Sequence, residues 1–344
     1  MRLSQIELLQ FRSHKKELFE FDPDVTLISG INGSGKTNIL EAIHVLLTGS
    51  SFRAQDVHLG TYETNWWRLS GLVDDIYREI RYQRDNSPPK QIVLKNNKKR
   101  FHNKDRLPVV LFEPHDTLFI YGSPSRRRAD VDTMIASIIP GYKTTQNRYE
   151  RAVRQRNNIL KDHRNSSMIN DALFAWDVML AEYGANIVAA RQRFIDRIDS
   201  KLAEYYSAIS GNTDTVHMGY IQTIPSQEVS EFHKILLSKY KDDKLRASTT
   251  SGPHKDDFKI LLNKEDAKLS ASRGEVRSLM LAVKLAFADI LEEISQKKPL
   301  ILLDDVYSEL DSQRKQRLSE TLKTNQTIIT DTHAIDGINT IHLN

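Results

Sequence analysis

Three observations predict an α/β fold carrying a large helical insertion. An apolar run, a glycine-rich loop and a segment of helical apolar spacing follow one another near the N-terminus. A second aliphatic run, Leu300-Ile301-Leu302-Leu303, ends in paired carboxylates at Asp304 and Asp305. Lys36 and Asp304 are 268 positions apart (304 − 36), far more than a compact strand-loop-helix core needs, and much of that interval is charged and helical in pattern.

The first element is Val25-Thr26-Leu27-Ile28-Ser29, a short buried strand. It leads into Gly30-Ile31-Asn32-Gly33-Ser34-Gly35-Lys36-Thr37, which has the form G-x-x-x-x-G-K-T, the phosphate-binding P-loop. Ile39, Leu40, Ile43, Leu46 and Leu47 then recur at helical spacing over Asn38–Leu47, and Gly49 supplies the stop. Strand, glycine loop and helix is the context that this pattern requires. Glycines let backbone N–H groups wrap a phosphate, and the helix N-terminus adds partial positive charge. Gly33, Ser34 and Gly35, flanked by Asn32 and Asn38, form the expected cradle; Lys36 is placed for the β/γ-phosphates and Thr37 for Mg²⁺.

The second half of that site is the aliphatic strand before Asp304. A strand buried on both faces reads as a continuous apolar run in a parallel sheet. Its first carboxylate, Asp304, is the candidate metal ligand, and Asp305 is the candidate for orienting or deprotonating a water. Upstream, Ser272-Arg273-Gly274-Glu275 opens a long amphipathic helix and also has the serine and glutamate of a capping box. Downstream come Ser308-Glu309-Leu310-Asp311 and a strand, Thr327–Thr330, ending at Asp331-Thr332-His333. In this order, the elements resemble the signature, D-loop and switch histidine of ABC-type ATPases.

Bulk properties narrow the class. The chain has 344 residues, enough for about two domains. With 39% hydrophobic and 27% charged residues it reads as a soluble globular protein. The absence of cysteine excludes disulfides and thiolate metal sites and fits a reducing cytosol. The polar-interrupted N-terminus is no secretory signal, and no apolar run approaches a membrane span. A net charge of +4 permits nucleic-acid binding without demanding it.

Two regions offer basic surfaces. From Tyr142 to Arg164 a stripe of Tyr149, Val153 and Leu160 opposes a face with Arg148, Arg151, Arg154, Lys161 and Arg164. Leu173, Trp176, Leu180, Tyr183, Ile187, Ala190 and Phe194, continuing through Ile198, Leu202 and Tyr205, form the matching seam of an antiparallel helix pair. A hairpin is predicted from Arg68 to Arg84 around Asp74-Asp75. Another, at Asn96-Asn97, is surrounded by Lys95, Lys98, Lys99, Arg100 and Lys104. Such a hairpin can contact phosphates or serve as a solubilising edge.

Over essentially its whole length the chain resembles the RecF family of bacterial gap-repair proteins. The resemblance rests on Leu9-Gln10-Phe11-Arg12, with Gln10 where asparagine is usual, on the P-loop, and on Gly49-Ser50-Ser51-Phe52-Arg53. It continues through Val109–Asp116, Gly122–Arg128, Gly252-Pro253-His254-Lys255-Asp256-Asp257, and Leu303–Val306 with Ser308–Asp311. It implies an ABC-type P-loop ATPase head (lobe I, mixed sheet with helices) with an inserted helical arm (lobe II), a short relative of the SMC coiled coil. The implied division is 1–122 for the first part of lobe I, 123–245 for lobe II and 246–344 for the rest of lobe I.

The resemblance further implies ATP and Mg²⁺ as cofactors and a head-to-tail homodimer closed by ATP. Arg12 would approach the ribose or α-phosphate and Arg53 the phosphates. Ser272 and Gly274 would reach the partner's γ-phosphate, and Asp311 would lie at the dimer seam. Lys36, Asp304, Asp305 and His333 would carry a slow, DNA-dependent hydrolysis. Implied partners are gapped DNA bound without sequence preference, RecR, RecO and RecA, in the cytoplasm at the nucleoid and without membrane attachment. An ABC-transporter subunit is the alternative, but the expected upstream aromatic and an L-S-G-G-Q-like string are replaced here by Phe11-Arg12 and Ser272-Arg273-Gly274-Glu275. An SMC-like head with another role in DNA metabolism is also compatible.

Overall fold

Apolar residues at Leu3, Ile6, Leu8 and Phe11 give the first strand one fully buried face, and the chain builds outward from it. A computed structural model describes residues 1–94, 97–161, 166–307, 310–333 and 338–343. The expected positions Lys95, Asn96, Arg164, Ser308 and Glu309 lie outside the described residues. Two units are separable: Met1–Asp116 with Ala208–Asn212 and Lys284–Asn344, and Thr117–Ser207 with Thr213–Val283.

In the first unit, β1 (Leu3–Phe11) and β2 (His14–Glu20) are followed by β3 (Val25–Gly30) and the P-loop helix α1 (Lys36–Thr48). Next come β4 (Trp66–Val73), β5 (Ile76–Gln83), β6 (Lys90–Leu94), β7 (Asn97–Arg100) and β8 (Val109–Phe112). An antiparallel sheet of six strands has the order β2-β1-β4-β5-β6-β7. Its β4–β5 turn uses Asp74 and Asp75, both at positive φ (50° and 59°), as a primed two-residue hairpin requires.

The second unit holds α2 (Leu118–Tyr121), α3 (Pro124–Ile138), α4 (Tyr142–Leu160) and most of α5 (Ser166–Ser210). It continues through β9 (Val216–Ile221), α6 (Val229–Ser238), α7 (Tyr240–Leu245), β10 (Asp257–Leu262), β11 (Glu265–Asp266), α8 (Ala267–Ser270) and the start of α9 (Arg273–Ser295). Here β10 pairs antiparallel with β9, and the stretch from Thr213 to Val283 belongs to this second unit.

Back in the first unit, β12 (Leu300–Leu303), α10 (Ser312–Leu322), β13 (Thr327–Asp331) and β14 (Asn339–Leu343) join β3 and β8 in a parallel sheet of order β14-β3-β13-β12-β8. All four residues of β12 are buried. Helix α1 is largely buried: Ile39, Leu40, Ile43, Leu46 and Leu47 share one core with strands of both sheets, and ten of its thirteen residues are buried. Gly49, at φ 76°, ends it by donating its N–H to Val45 O.

The second unit is organised around two buried arginines. Arg191 forks onto Asp132 at 2.9 and 2.8 Å and donates to Pro253 O at 2.7 Å. Arg156, fully buried, donates to Asp177 and Asp243 at 2.6 Å each. Asp256 accepts from Tyr220, and Asp257 accepts the two-pronged contact of Arg127. The string Gly252–Asp257 therefore knits this unit together internally. Gly252, at φ 122°, is required because a Cβ there would lie 2.3 Å from the Tyr149 hydroxyl oxygen. On α4, Arg148, Arg151, Arg154 and Lys161 are exposed as the pattern predicts, while Trp176, Tyr183 and Tyr205 of the predicted seam are only half-buried.

Candidate nucleotide site

At the carboxyl edge of the parallel sheet, β13 lies between β3 and β12. Ligands of open α/β sheets bind outside this edge. Gly33 and Gly35 take φ 87° and 99°, and a Cβ on Gly35 would come within 2.9 Å of His14 Nε2. Lys36 is buried and its Nζ spans the loop, donating to Gly30 O (2.6 Å) and Ile31 O (3.0 Å). The Ser34 hydroxyl is buried and has no hydrogen-bond partner among the described residues. Asn32 and Gly33 are exposed, and Asn38 donates to Ser13 Oγ at 3.0 Å.

The two halves of the site meet directly. Thr37 Oγ1 donates to Asp304 at 2.9 and 3.1 Å, joining residues 267 positions apart. Thr330, fully buried on β13, donates to Asp304 Oδ1 at 2.8 Å and accepts the Asp305 N–H at 3.0 Å. One hydroxyl thus fixes both carboxylate positions. Asp305 takes a left-handed φ of 52°, a conformation that costs a non-glycine residue on the order of 1 kcal/mol and that the Thr330 contact helps to hold. Thr330 carries no signal in the sequence beyond its place in a strand.

Glu113 is a second residue the sequence did not single out. It follows β8, and the pairing of Leu303 with Phe112 sets it beside Asp304. Burial, with the charges of Asp116 and Asp304, pushes its carboxyl up to about 7 against the pull of Lys284 and Arg53. Lys284 Nζ pins the turn, donating to Leu111 O (2.7 Å) and contacting Asp116 at 2.9 Å.

Arg12 forks onto the fully buried Glu41 of α1 at 2.7 and 2.8 Å and donates to His58 O at 3.0 Å. Ser51 Oγ donates to the same Glu41 at 2.5 Å, tying the loop of the exposed Arg53 to the P-loop helix. Glu41 is the residue that connects these two elements. His333 is 89% exposed at its side chain, with Thr332 Oγ1 at 2.8 Å from its Nδ1. Asp311 caps α10, accepting the Arg314 N–H at 2.9 Å, and that bond lowers its pKa. Ser272 and Gly274 belong to the second unit, where Ser272 N–H donates to Glu275 (2.7 Å) and Glu275 N–H to Ser272 Oγ (3.4 Å). The reciprocal capping box is formed, and Ser272 is exposed.

The donor set fits a nucleotide and a hard divalent cation. Among the described residues no cluster of three or more His, Cys, Asp or Glu side chains could hold a metal. One hydroxyl and one carboxylate, at Thr37 and Asp304, suit Mg²⁺, which binds through one or two carboxylates and otherwise keeps waters and phosphate oxygens.

This fold and site define a P-loop ATPase with an ABC-type head. The family model described as "AAA domain" matches residues 5–332. A DNA replication and repair protein RecF from Heliobacterium modesticaldum is 30% identical over 345 residues, covering 97% of this chain and 93% of the relative. The solved structure of a recombination mediator protein RecF, described as RecF-ATPrS in the RecFOR pathway, is 31% identical with a TM-score of 0.84, covering 100% of this chain and 96% of that one. The chain belongs to the RecF family. An Smc head bound to a winged-helix domain of ScpA shares the fold at 18% identity and a TM-score of 0.55, covering 97% of this chain and 90% of that one. No helix among the described residues is long and apolar enough to cross a membrane.

Proposed function

We propose that this chain is an ATP-dependent DNA-binding protein of recombinational gap repair, in which ATP joins two copies head to tail on DNA and slow hydrolysis releases them. The observation that carries the reading is the Thr37–Asp304–Thr330 constellation beside the P-loop. Lys36, with the N–H groups of Asn32 to Asn38, holds the phosphates, and Arg53 and Arg12 flank them. Thr37 and Asp304 would hold Mg²⁺, which would supply charge neutralisation on the phosphates. Asp305 orients the attacking water, and His333 senses the γ-phosphate from the neighbouring strand. Ser272 and Gly274 of the second copy close the site, with Asp311 at the seam. Asp305 is one methylene shorter than glutamate, and a loss of alignment of about 1 Å costs on the order of a hundredfold in rate, which suits a switch.

A surface of the first unit supports the DNA assignment. Strand register sets Lys16, Leu9, Arg68, Arg81, Gln91 and Arg100 directly opposite one another in one row across the six-stranded sheet. At about 4.8 Å per strand the row spans about 24 Å. Arg68 and Arg81 face each other on adjacent strands, an arrangement that destabilises a sheet unless a partner uses it. Glu7 (3.5 Å from Arg68) and Glu79 (paired with Arg81) offset only part of that charge. A line of cations with this spacing tracks phosphates without reading bases. RecR and RecO are the proposed partners at the gap, as the RecFOR context of the solved relative suggests, and RecA is proposed as the protein loaded there.

Sedimentation of the purified chain with ATP, ADP or no nucleotide, with and without gapped duplex, tests this. Dimers that require ATP, and DNA binding that follows them, are expected. A chain that stays monomeric with saturating Mg-ATP, and binds DNA equally in all three conditions, overturns the proposal.

A further inference from the structure

A well-formed cavity lies apart from the nucleotide site. It lies in the first unit, has a volume of about 410 Å³, and is walled by Val73, Leu94 and Leu107. Its floor is Arg78, only 4% exposed, whose Nε and Nη2 donate to Leu46 O (2.6 Å), Leu47 O (3.1 Å) and Asp105 O (2.6 Å). Leu46 and Leu47 belong to the last turn of α1, so the cavity lies roughly 16 Å along that helix from the P-loop.

Those three bonds make Arg78 a cap for the end of α1, but they do not use the whole guanidinium. Nη1 has no hydrogen-bond acceptor among the described residues, and no carboxylate there approaches Arg78 within ion-pair distance. Burial lowers its pKa to about 10, leaving it cationic at neutral pH. Two lysines line the same cavity. Lys99 is paired with Asp105 at 2.5 Å and Lys297 with Asp74 at 3.3 Å, so both side chains are held near the opening. Ile76, another lining residue, is 43% exposed.

The geometry points to a binding site for a carboxylate attached to an apolar body, the head taken by Arg78 Nη1 and the body by the aliphatic walls. Nη1 is therefore the guanidinium nitrogen left to face the cavity, where a carboxylate oxygen can take its N–H in a charge-assisted bond. The volume falls within the range of small-ligand pockets. Two sources present this chemistry: the C-terminal residue of a partner polypeptide, and a free aliphatic or aromatic acid. Neither competes with nucleotide, because the P-loop is at the other end of α1.

Binding of three probes to the full chain, followed by ligand-observed NMR, tests the site. They are N-acetyl-leucine, an octapeptide ending in leucine with a free carboxylate, and the same peptide amidated. Both free acids are expected to bind and the amide at least about tenfold more weakly. A peptide bound about tenfold tighter than N-acetyl-leucine identifies a chain terminus as the ligand; equal affinity identifies a small acid. Ile76→Glu, at a partly exposed position that folding tolerates, is expected to weaken both acids about tenfold while leaving ATP binding unchanged. No binding up to about 10 mM, equal binding of acid and amide, or indifference to Ile76→Glu overturns the assignment, the first meaning that the cavity holds only water.

Discussion

The two units spend their charged residues in opposite ways. In the first, the acidic groups of the nucleotide site sit at a sheet edge, aligned by hydroxyls of Thr37 and Thr330 and left with oxygens to offer. In the second, Asp132, Asp177, Asp243 and Asp256 are buried and turned onto Arg156, Arg191, hydroxyls and backbone N–H groups. A charge held by hydroxyls at an edge can exchange partners; a charge matched by arginine in the interior cannot. The first arrangement serves a ligand, and the second fixes a shape.

Substitutions that separate these roles follow, in order of expected effect. Lys36→Ala removes the cation of the P-loop and is expected to weaken ATP by at least about a hundredfold in a binding titration, with the thermal transition of the second unit unmoved. Arg191→Met strands Asp132 in the interior and is expected to cost about 3–5 kcal/mol in chemical denaturation. Should it instead be neutral, the buried pair contributes nothing to the second unit and the contrast fails.

Acid sharpens the same contrast. Burial holds His254, in the second unit, at a pKa of about 4, below the ordinary 6.5. The unfolded chain therefore binds this proton first. Stability is full above pH 6.5, falls as the pH drops from 6.5 to about 4, and loses on the order of 3 kcal/mol over that window. His44, on the buried α1, follows the same course at a pKa of about 4. His254→Asn should flatten the acid limb of the second unit alone, as followed by hydrogen exchange.

Thr330→Val is expected to lower kcat about tenfold with little change in KM, because it releases both Asp304 and Asp305; Thr330→Ser should restore the rate. A KM effect instead would assign Thr330 to nucleotide binding. The smallest effect belongs to the cation row. Arg81→Gln is expected to reduce the slope of DNA affinity against salt by about one counterion, uniformly across sequences.

How much of this the sequence announces depends on range. The P-loop, its helix, Gly49 and the Asp74-Asp75 turn are local patterns, and each is found where the residues place it. The aliphatic run before Asp304 is equally plain, because a strand buried on both faces has no alternation to obscure it. Thr330 and Glu41 act through partners far along the chain, and nothing in a strand or helix pattern marks a hydroxyl or carboxylate as shared. The cation row is dispersed over four separate strands and exists only once register is set. Arg156 and Arg191 sit among other arginines on helices, and composition alone cannot tell a sheathed guanidinium from a wetted one.

Helix α1, with ten of its thirteen residues buried, has a mechanical corollary. A rod wedged between two sheets cannot slide or tilt without prising them apart, so the loop at its tip behaves as a fixed anvil. Under the proposed two-copy mechanism, the moving part is then whatever approaches that loop, not the helix behind it.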